Sequence, residues 1–260
     1  MILRTCRDSC LNSQWICVNK LCIHTKTCCS IRIGSLFENI STPFTTILKV
    51  LVYWSRGLNQ SEIIKFINIS RPTVGKIRSL FLSVIAAYFL RNPIKLGGPG
   101  VVVQCDETLL NHKIKYHKGR VPRSQVWALT IVDTSFTPAR GWIEIVPNRK
   151  KETLLPIICG VVLNGTIIHS DEWVSYRDLA KMNSYEHMTV VHKYNFVCPV
   201  TGTHTQNVES WNNKLKLKIK EMRGLNTVGR SNFVHEFCFL EMFRSDAYEK
   251  MLELLKCNIC

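Results

Sequence analysis

The sequence predicts an α/β protein, with a mixed-sheet domain in its second part and a small helical region before it. Three observations carry this reading. From about Pro43 to about residue 90 the apolar residues recur at helical spacing. "RNPIKLGGPG" (91–100) then interrupts the pattern with two prolines and three glycines. Beyond it, short runs rich in β-branched and aromatic residues alternate with helical ones. Three strands, a helix, a strand, a helix and a strand make a central mixed sheet covered by helices.

Taken in order, the chain opens on a cysteine-rich segment, residues 1–42. Six of the twelve cysteines, Cys6, Cys10, Cys17, Cys22, Cys28 and Cys29, fall in the first 29 residues. The tight Cys-x-x-Cys pairs of a zinc ribbon are missing: three residues separate Cys6 from Cys10, and four separate Cys17 from Cys22. Two readings stay open, a degenerate ribbon in which Cys6, Cys10, Cys17 and Cys22 hold Zn²⁺, or free thiols. Arg4, Arg7 and Asp8 stand where a signal peptide needs its apolar region. The expected location is therefore intracellular, the nucleus in a eukaryote or the cytoplasm in a bacterium, where cysteines stay reduced.

Residues 43–91 read as helices. From Pro43 a helix places Phe44, Ile47, Leu48, Leu51 and Val52 on one face. In "LNQSEIIKFINISRPTVGKIRSLF", Asn59 or Ser61 caps a short helix carrying Ile63, Ile64 and Ile67. "NIS" makes a turn, and Ser70 caps a second helix with Pro72 in its first turn. That helix turns Val74, Ile77 and Phe81 inward and presents Arg71, Thr73, Lys76 and Arg78 outward. Two short helices, a tight turn and a basic second helix describe a helix-turn-helix for DNA; the alternative is a plain helical hairpin with a solvated face. Charge favours the first: 34 Lys+Arg against 19 Asp+Glu leave +15, an excess that suits a polyanion. A membrane surface is the lesser reading, since the apolar stretch "LFLSVIAAYFL" (80–90) is too short to span a bilayer.

The sheet domain, 101–250, begins with "VVVQCDET", a buried run ending in acids. "QVWALTIVDTS" and "RGWIEIVPN" follow as strands and "KETLLPIICGVVL" as a helix. "GTIIHSDEW" is a strand, "SYRDLAKM" a helix and "EHMTVVHK" the last strand. The first and fourth strands both end in acids, Asp106–Glu107 and Asp171–Glu172. If the two are neighbours, Asp106 and Asp171 lie side by side and repel unless protons or divalent cations neutralise them. Carboxylates sharing Mg²⁺ or Mn²⁺ would make a phosphoryl-transfer site. Glu107 and Glu172 point to the other side, because side chains alternate along a strand. Downstream, "THTQNVESWNNKLKLKIKEMRG" (203–224) supplies Glu209 in the first turns of a helix, with Lys216 two turns later on the same face. The run Lys214, Lys216, Lys218, Lys220 has one acid nearby, Glu221, and reads as a track for DNA phosphates.

The spacing of Asp106, Asp171 and Glu209, with 64 and then 37 residues between them, resembles the acidic triad of DDE transposases. The stretches "IIHSDEWVSYRDL", "VVHKYNFVCPVTGTHTQNVESWNNKLK" and "SIRIGSLFENI" are similar to the Merlin superfamily and its bacterial insertion-sequence relatives with ISXO2-like domains. This resemblance, from about residue 15 to about residue 245, implies an RNase H-like fold in which Asp106, Asp171 and Glu209 hold two Mg²⁺ or Mn²⁺ ions. Some relatives place asparagine third, which leaves Asn207 as a rival to Glu209. The implied partners are double-stranded DNA, as terminal inverted repeats and as target, and further copies of the chain on that DNA; no membrane is expected. The amino-terminal ribbon departs from the family's fuller one.

Other residues keep two readings. His204 either touches metal or phosphate or makes a turn hydrogen bond, and His169 reads as structural. Trp127, Trp142 and Trp173 read as core, whereas Trp211 either stacks on a flipped base or packs the active-site helix. Three functions follow: a transposase cutting and joining DNA, a catalytically inactive or domesticated DNA-binding derivative, and another RNase H-like nuclease.

Overall fold

A computed structural model describes residues 1–5, 13–111, 125–182, 184–190, 202–222 and 229–257. It divides into two compact units, Met1–Val84 with Phe243–Cys260, and Ile85–Met242.

The first unit opens with an antiparallel sheet that periodicity did not predict, of β1 (Ile2–Thr5), β2 (Ser13–Ile16) and β3 (Cys28–Ser30), in that order. All four residues of β1 are exposed, so no apolar alternation marks it. Cys17 is buried, Cys22 and Cys29 are half-buried and Cys28 is exposed, all as thiols. Cys6 and Cys10 lie outside the described residues.

Three helices follow: α1 (Phe44–Ser55), α2 (Gln60–Ile67) and α3 (Arg71–Arg91). In α1 the buried stripe is Ile47, Val50, Leu51 and Trp54, while Leu48 is 40% exposed. The inward face is thus turned from the expected one, because spacings of three, one and three keep a narrow stripe that Leu48 falls outside. At α2 the side chain of Asn59 accepts from the Glu62 N–H and Glu62 accepts from the Asn59 N–H, a complete capping box. Asn68 ends the helix with φ of 55°. Ser70 Oγ then accepts the Thr73 N–H and meets Thr73 Oγ1 at 2.8 Å, so Thr73 serves the start of α3 and its hydroxyl is already engaged. Val74, Ile77, Phe81 and Val84 are buried, and Phe81 lies 5.3 Å from Trp54 between ring centres. Arg71 and Lys76 are exposed and Arg78 is half-buried. With 21 residues, α3 is the one described helix long and apolar enough to cross a bilayer; it is longer than the expected 80–90 stretch because it starts at Arg71. Its buried face contacts protein.

The second unit is built on a five-stranded sheet: β4 (Val102–Leu109), β5 (Trp127–Asp133), β6 (Arg140–Val146), β7 (Thr166–Asp171) and β8 (Tyr185–Val190), in the order β6-β5-β4-β7-β8. β4, β5 and β6 form an antiparallel meander, whereas β7 and β8 join parallel. This is the RNase H-like arrangement, with β4 at the centre. The central strand reads as a nearly unbroken buried run because both its faces are covered. α4 (Lys151–Val161) connects β6 to β7, and a 3₁₀ helix (Val174–Lys181) connects β7 to β8. α5 (Gln206–Glu221) lies on β4 and β5 through Val208, Trp211 and Leu215, and α6 (Arg230–Phe243) adds Val234, Cys238 and Phe239 to the core.

The glycine-rich segment belongs to this unit. Leu96 pairs with Val162, Gly97 N–H donates to Asp133 (2.7 Å), Gly98 N–H to Thr166 Oγ1 (2.9 Å) and Gly100 N–H to the Gly165 carbonyl (2.9 Å). Gly97 has φ of 79°, and a Cβ there would collide with Thr166. The compact units part at Val84–Ile85, within α3, instead of at these glycines.

Candidate active site

β4 and β7 are hydrogen-bonded neighbours whose register pairs Val103 with Ile168 and Gln104 with His169. Two residues further, this register sets Asp106 level with Asp171. Alternation puts Gln104, Asp106, His169 and Asp171 on the face that α5 covers. Gln104 Oε1 accepts the N–H groups of Asn207 (2.9 Å) and Val208 (3.1 Å), satisfying donors that the start of a helix leaves without partners. Its amide also meets His204 Nδ1 at 3.3 Å. His169 Nδ1 meets the His204 carbonyl at 3.3 Å, and burial holds the His169 imidazole below its usual range. Both histidines therefore secure the loop into α5.

Asp106 is the most perturbed acid. Burial first, then Asp171, Glu107 and Glu209, push its carboxyl up to about 7, while a bond from the Glu107 N–H pulls the other way. Asp106 Oδ2 accepts from Asn212 Nδ2 at 2.8 Å. Asn212 Oδ1 in turn accepts from Thr130 Oγ1 at 2.7 Å, which fixes the direction of the amide. Asn212 is 3% exposed, one turn after Glu209. Sequence reasoning missed it, because "WNNKLK" looks like a solvated face. Its one legible signal is the apolar stripe Val208, Trp211, Leu215, which brackets position 212. Asn212→Ala would leave Thr130 and Asp106 without their shared partner and is expected to lower stability by about 1–3 kcal/mol. Urea unfolding without metal checks this, and an unchanged midpoint would contradict it.

Asp171 Oδ1 accepts the Trp173 N–H at 3.0 Å. Glu209 accepts from Thr205 Oγ1 at 3.0 Å and lines a groove of about 400 Å³ along α5 with Gln206, Ser210, Asn213, Lys214 and Leu217. Asp106 and Asp171 do not line this groove. Asn207 is half-buried, and its backbone N–H is tied to Gln104. On the opposite face Glu107 receives the Arg149 guanidinium, and Glu172 is exposed. As the side chains lie, no three of His, Cys, Asp and Glu among the described residues stand close enough to share an ion. The donor set nevertheless suits a hard divalent cation. It is all oxygen, and burial with neighbouring carboxylates leaves Asp106 short of positive charge.

The lysine run divides. Lys214 pairs with Glu241 (2.9 Å) and Lys218 with Glu221 (3.1 Å), whereas Lys216 and Lys220 are exposed and form no ion pair among the described residues. Lys214 thus pairs with α6 while its side chain stays 42% exposed. Trp142 is core, and Trp127 is half-buried. Trp173 corrects the expectation of a core residue: it is 39% exposed, held by stacking against Arg149. Trp211, 3% exposed, donates to the Ala139 carbonyl and packs against Phe237.

The family model for the ISXO2-like transposase domain matches residues 95–226, just over half of the chain. The chain belongs to the ISXO2-like transposase family. The match takes in the glycine-rich segment, the whole five-stranded sheet and α5. Curated protein sequences give no match. Among solved structures, the catalytic core domain of BIV integrase is 19% identical, over 58% of this chain and 93% of that one, with a TM-score of 0.35. A chain of the simian T-cell lymphotropic virus intasome with the PP2A regulatory subunit B56 gamma is 15% identical, over 73% of this chain, with a TM-score of 0.35; the ISXO2-like chain spans 66% of it. The pre-cleavage Mos1 transpososome gives 11%, over 80% and 77% of the two chains, and 0.28.

Proposed function

We propose that this ISXO2-like transposase cleaves DNA at the ends of its element and joins those ends to a target. The observation that carries the reading is the parallel β4–β7 register through Gln104 and His169, which continued by two residues sets Asp106 level with Asp171, with Asp171 and Glu209 near enough to raise the Asp106 carboxyl. Asp106 and Asp171 would hold two Mg²⁺ or Mn²⁺ ions, with Glu209 as third ligand once it leaves Thr205, and Asn207 as its alternative. When bound, such ions supply Lewis-acid activation of a water or a DNA 3′-hydroxyl and stabilise the leaving oxygen. The chain's own part is positional. Asn212 and the Trp173 N–H orient the two aspartates, Gln104 seats the start of α5, and Lys216 and Lys220 lie along phosphates. Arg71, Lys76 and Arg78 on α3 would face the element ends, as the second helix of a helix-turn-helix does.

The deciding test is incubation with Mg²⁺ and a duplex carrying the inverted repeats that flank the gene. Nicking at the repeat ends and transfer to a second duplex support the reading. Specific binding without nicking supports the alternative, a catalytically inactive, transposase-derived DNA-binding protein. Binding itself should divide between two segments. Lys76→Ala with Arg78→Ala is expected to weaken repeat DNA more than random duplex. Lys216→Ala with Lys220→Ala is expected to weaken both and to flatten the salt dependence by roughly 0.9 per lost phosphate contact. Fluorescence anisotropy over a salt series measures this, and equal losses from both pairs would contradict the division.

A further inference from the structure

On the face of the sheet away from α5, Arg149 sits in the turn between β6 and α4 and touches Glu107 on β4 and the turn that follows β7. Its Nη2 and Nε donate to Glu107 Oε2 at 2.8 and 3.2 Å, and Glu107 is the residue after Asp106. The guanidinium carbon lies 4.1 Å from the Trp173 ring centre and 4.5 Å from that of Trp127, so an indole is stacked against it from each of two elements. The Arg149 carbonyl accepts from Trp173 Nε1 (3.2 Å) and from Ser175 Oγ (2.7 Å). Trp173 in turn gives its backbone N–H to Asp171.

The Glu107 side chain is 0% exposed, which is tolerated because a guanidinium meets it. That alone would be a structural ion pair, for which a lysine would serve. A planar cation stacked with two tryptophans while its own carbonyl grips one of them does more, because it fixes the turn 171–173. Trp173 is 39% exposed, so burial alone does little to hold its ring.

We propose that Arg149 is a positioning residue for Asp171: gripping Trp173 from both its guanidinium and its carbonyl, it sets the Trp173 N–H that orients the Asp171 carboxylate and locks that carboxylate to the strand carrying Asp106. The proposal rests on the reading of Asp106 and Asp171 as metal ligands. Groups that orient a ligand from behind are typically worth 10–100-fold in metal affinity.

The test separates positioning from charge neutralisation. Arg149→Met strands a buried carboxylate, at a cost to folding that would mask the effect, so the decisive protein is Arg149→Met with Glu107→Gln, in which no charge is left unpaired. Three quantities are read on the full-length chain: melting temperature, Mn²⁺ affinity by calorimetry, and acrylamide quenching of Trp173, taken as the difference from Trp173→Phe in each background. The double variant is expected to melt near the wild type, to bind Mn²⁺ at least about 10-fold more weakly, and to expose Trp173 to the quencher. Wild-type Mn²⁺ affinity in a well-folded double variant would overturn the proposal and leave the metal-site reading standing. A wild-type protein that binds no Mn²⁺ would overturn both. Failure of the double variant to melt cooperatively would show that the cluster holds the fold itself, which also overturns a positioning role.

Discussion

Asp171→Asn is expected to abolish Mg²⁺-dependent cleavage of repeat-end DNA, by about 10³-fold or more, while the protein melts no lower than the wild type without metal. The substitution keeps the side-chain shape and leaves an oxygen to accept the Trp173 N–H, which Asp171 takes at 3.0 Å. What it removes is one negative charge beside Asp106, whose carboxyl Asp171 helps to raise. Folding therefore loses nothing and sheds a repulsion. On the reading of Asp171 as a metal ligand, catalysis would lose that ligand, and fixed charges placed where charge develops supply the largest share of the acceleration in such reactions. Glu172→Gln, exposed and one residue along, is expected to change cleavage only slightly. Cleavage assays and melting curves on the same preparations decide it. Normal cleavage by Asp171→Asn, or its loss in Glu172→Gln, would sink the assignment.

The second large effect is on stability against pH. In the folded chain Asp106 titrates near 7, against an ordinary value of 3.8, chiefly through burial and then the neighbouring acids. Below pH 4 both folded and unfolded chains hold this proton, and Asp106 makes no difference. Between about pH 4 and pH 7 the unfolded chain releases it while the folded chain retains it, so stability falls as pH rises. Above pH 7 the loss is complete, at roughly 1.4 kcal/mol for each pH unit crossed, or about 4 kcal/mol in all. Other carboxylates act oppositely; Lys181 and Lys151 hold Asp178 down to about 2, for example. The measurement is therefore the difference between wild type and Asp106→Asn, followed by urea unfolding from pH 4 to pH 8 without metal. Asp106→Asn is expected to gain on the wild type across this range, and Mg²⁺ at pH 8 to stabilise the wild type more. A difference that stays flat with pH would refute the account of the buried acid.

Much of the catalytic unit could be read from sequence because its strands are long and buried, and because carboxylates at the ends of apolar runs are conspicuous. That β4 and β7 are neighbours stood only as a condition in the sequence, under which their acids would lie side by side; the sheet meets that condition. Polar residues whose partners come from distant elements were not legible. Asn212 answers to Thr130, 82 positions away, and Arg149 answers to Glu107 and Trp173, so nothing local distinguishes either from a surface residue. Trp173 was misplaced for the same reason, since an exposed indole stacked on a cation and a buried one look alike in a string of letters. The amino-terminal strands failed differently, being only three or four residues long and without an apolar alternation to announce them.

The segment Leu96–Gly100 has a consequence for how this protein could be dismantled or recombined. Written out, three glycines and a proline look like punctuation, the obvious seam at which to exchange one module for another. Its backbone instead donates to Asp133, Thr166 and Gly165, and Leu96 pairs with Val162, so it works as a bracket around the strands that carry the acids. A graft made at these glycines would cut through that bracket. Any portable version of this catalytic unit has to carry its own preface, beginning upstream of Leu96, and the exchangeable joint has to be sought earlier in the chain.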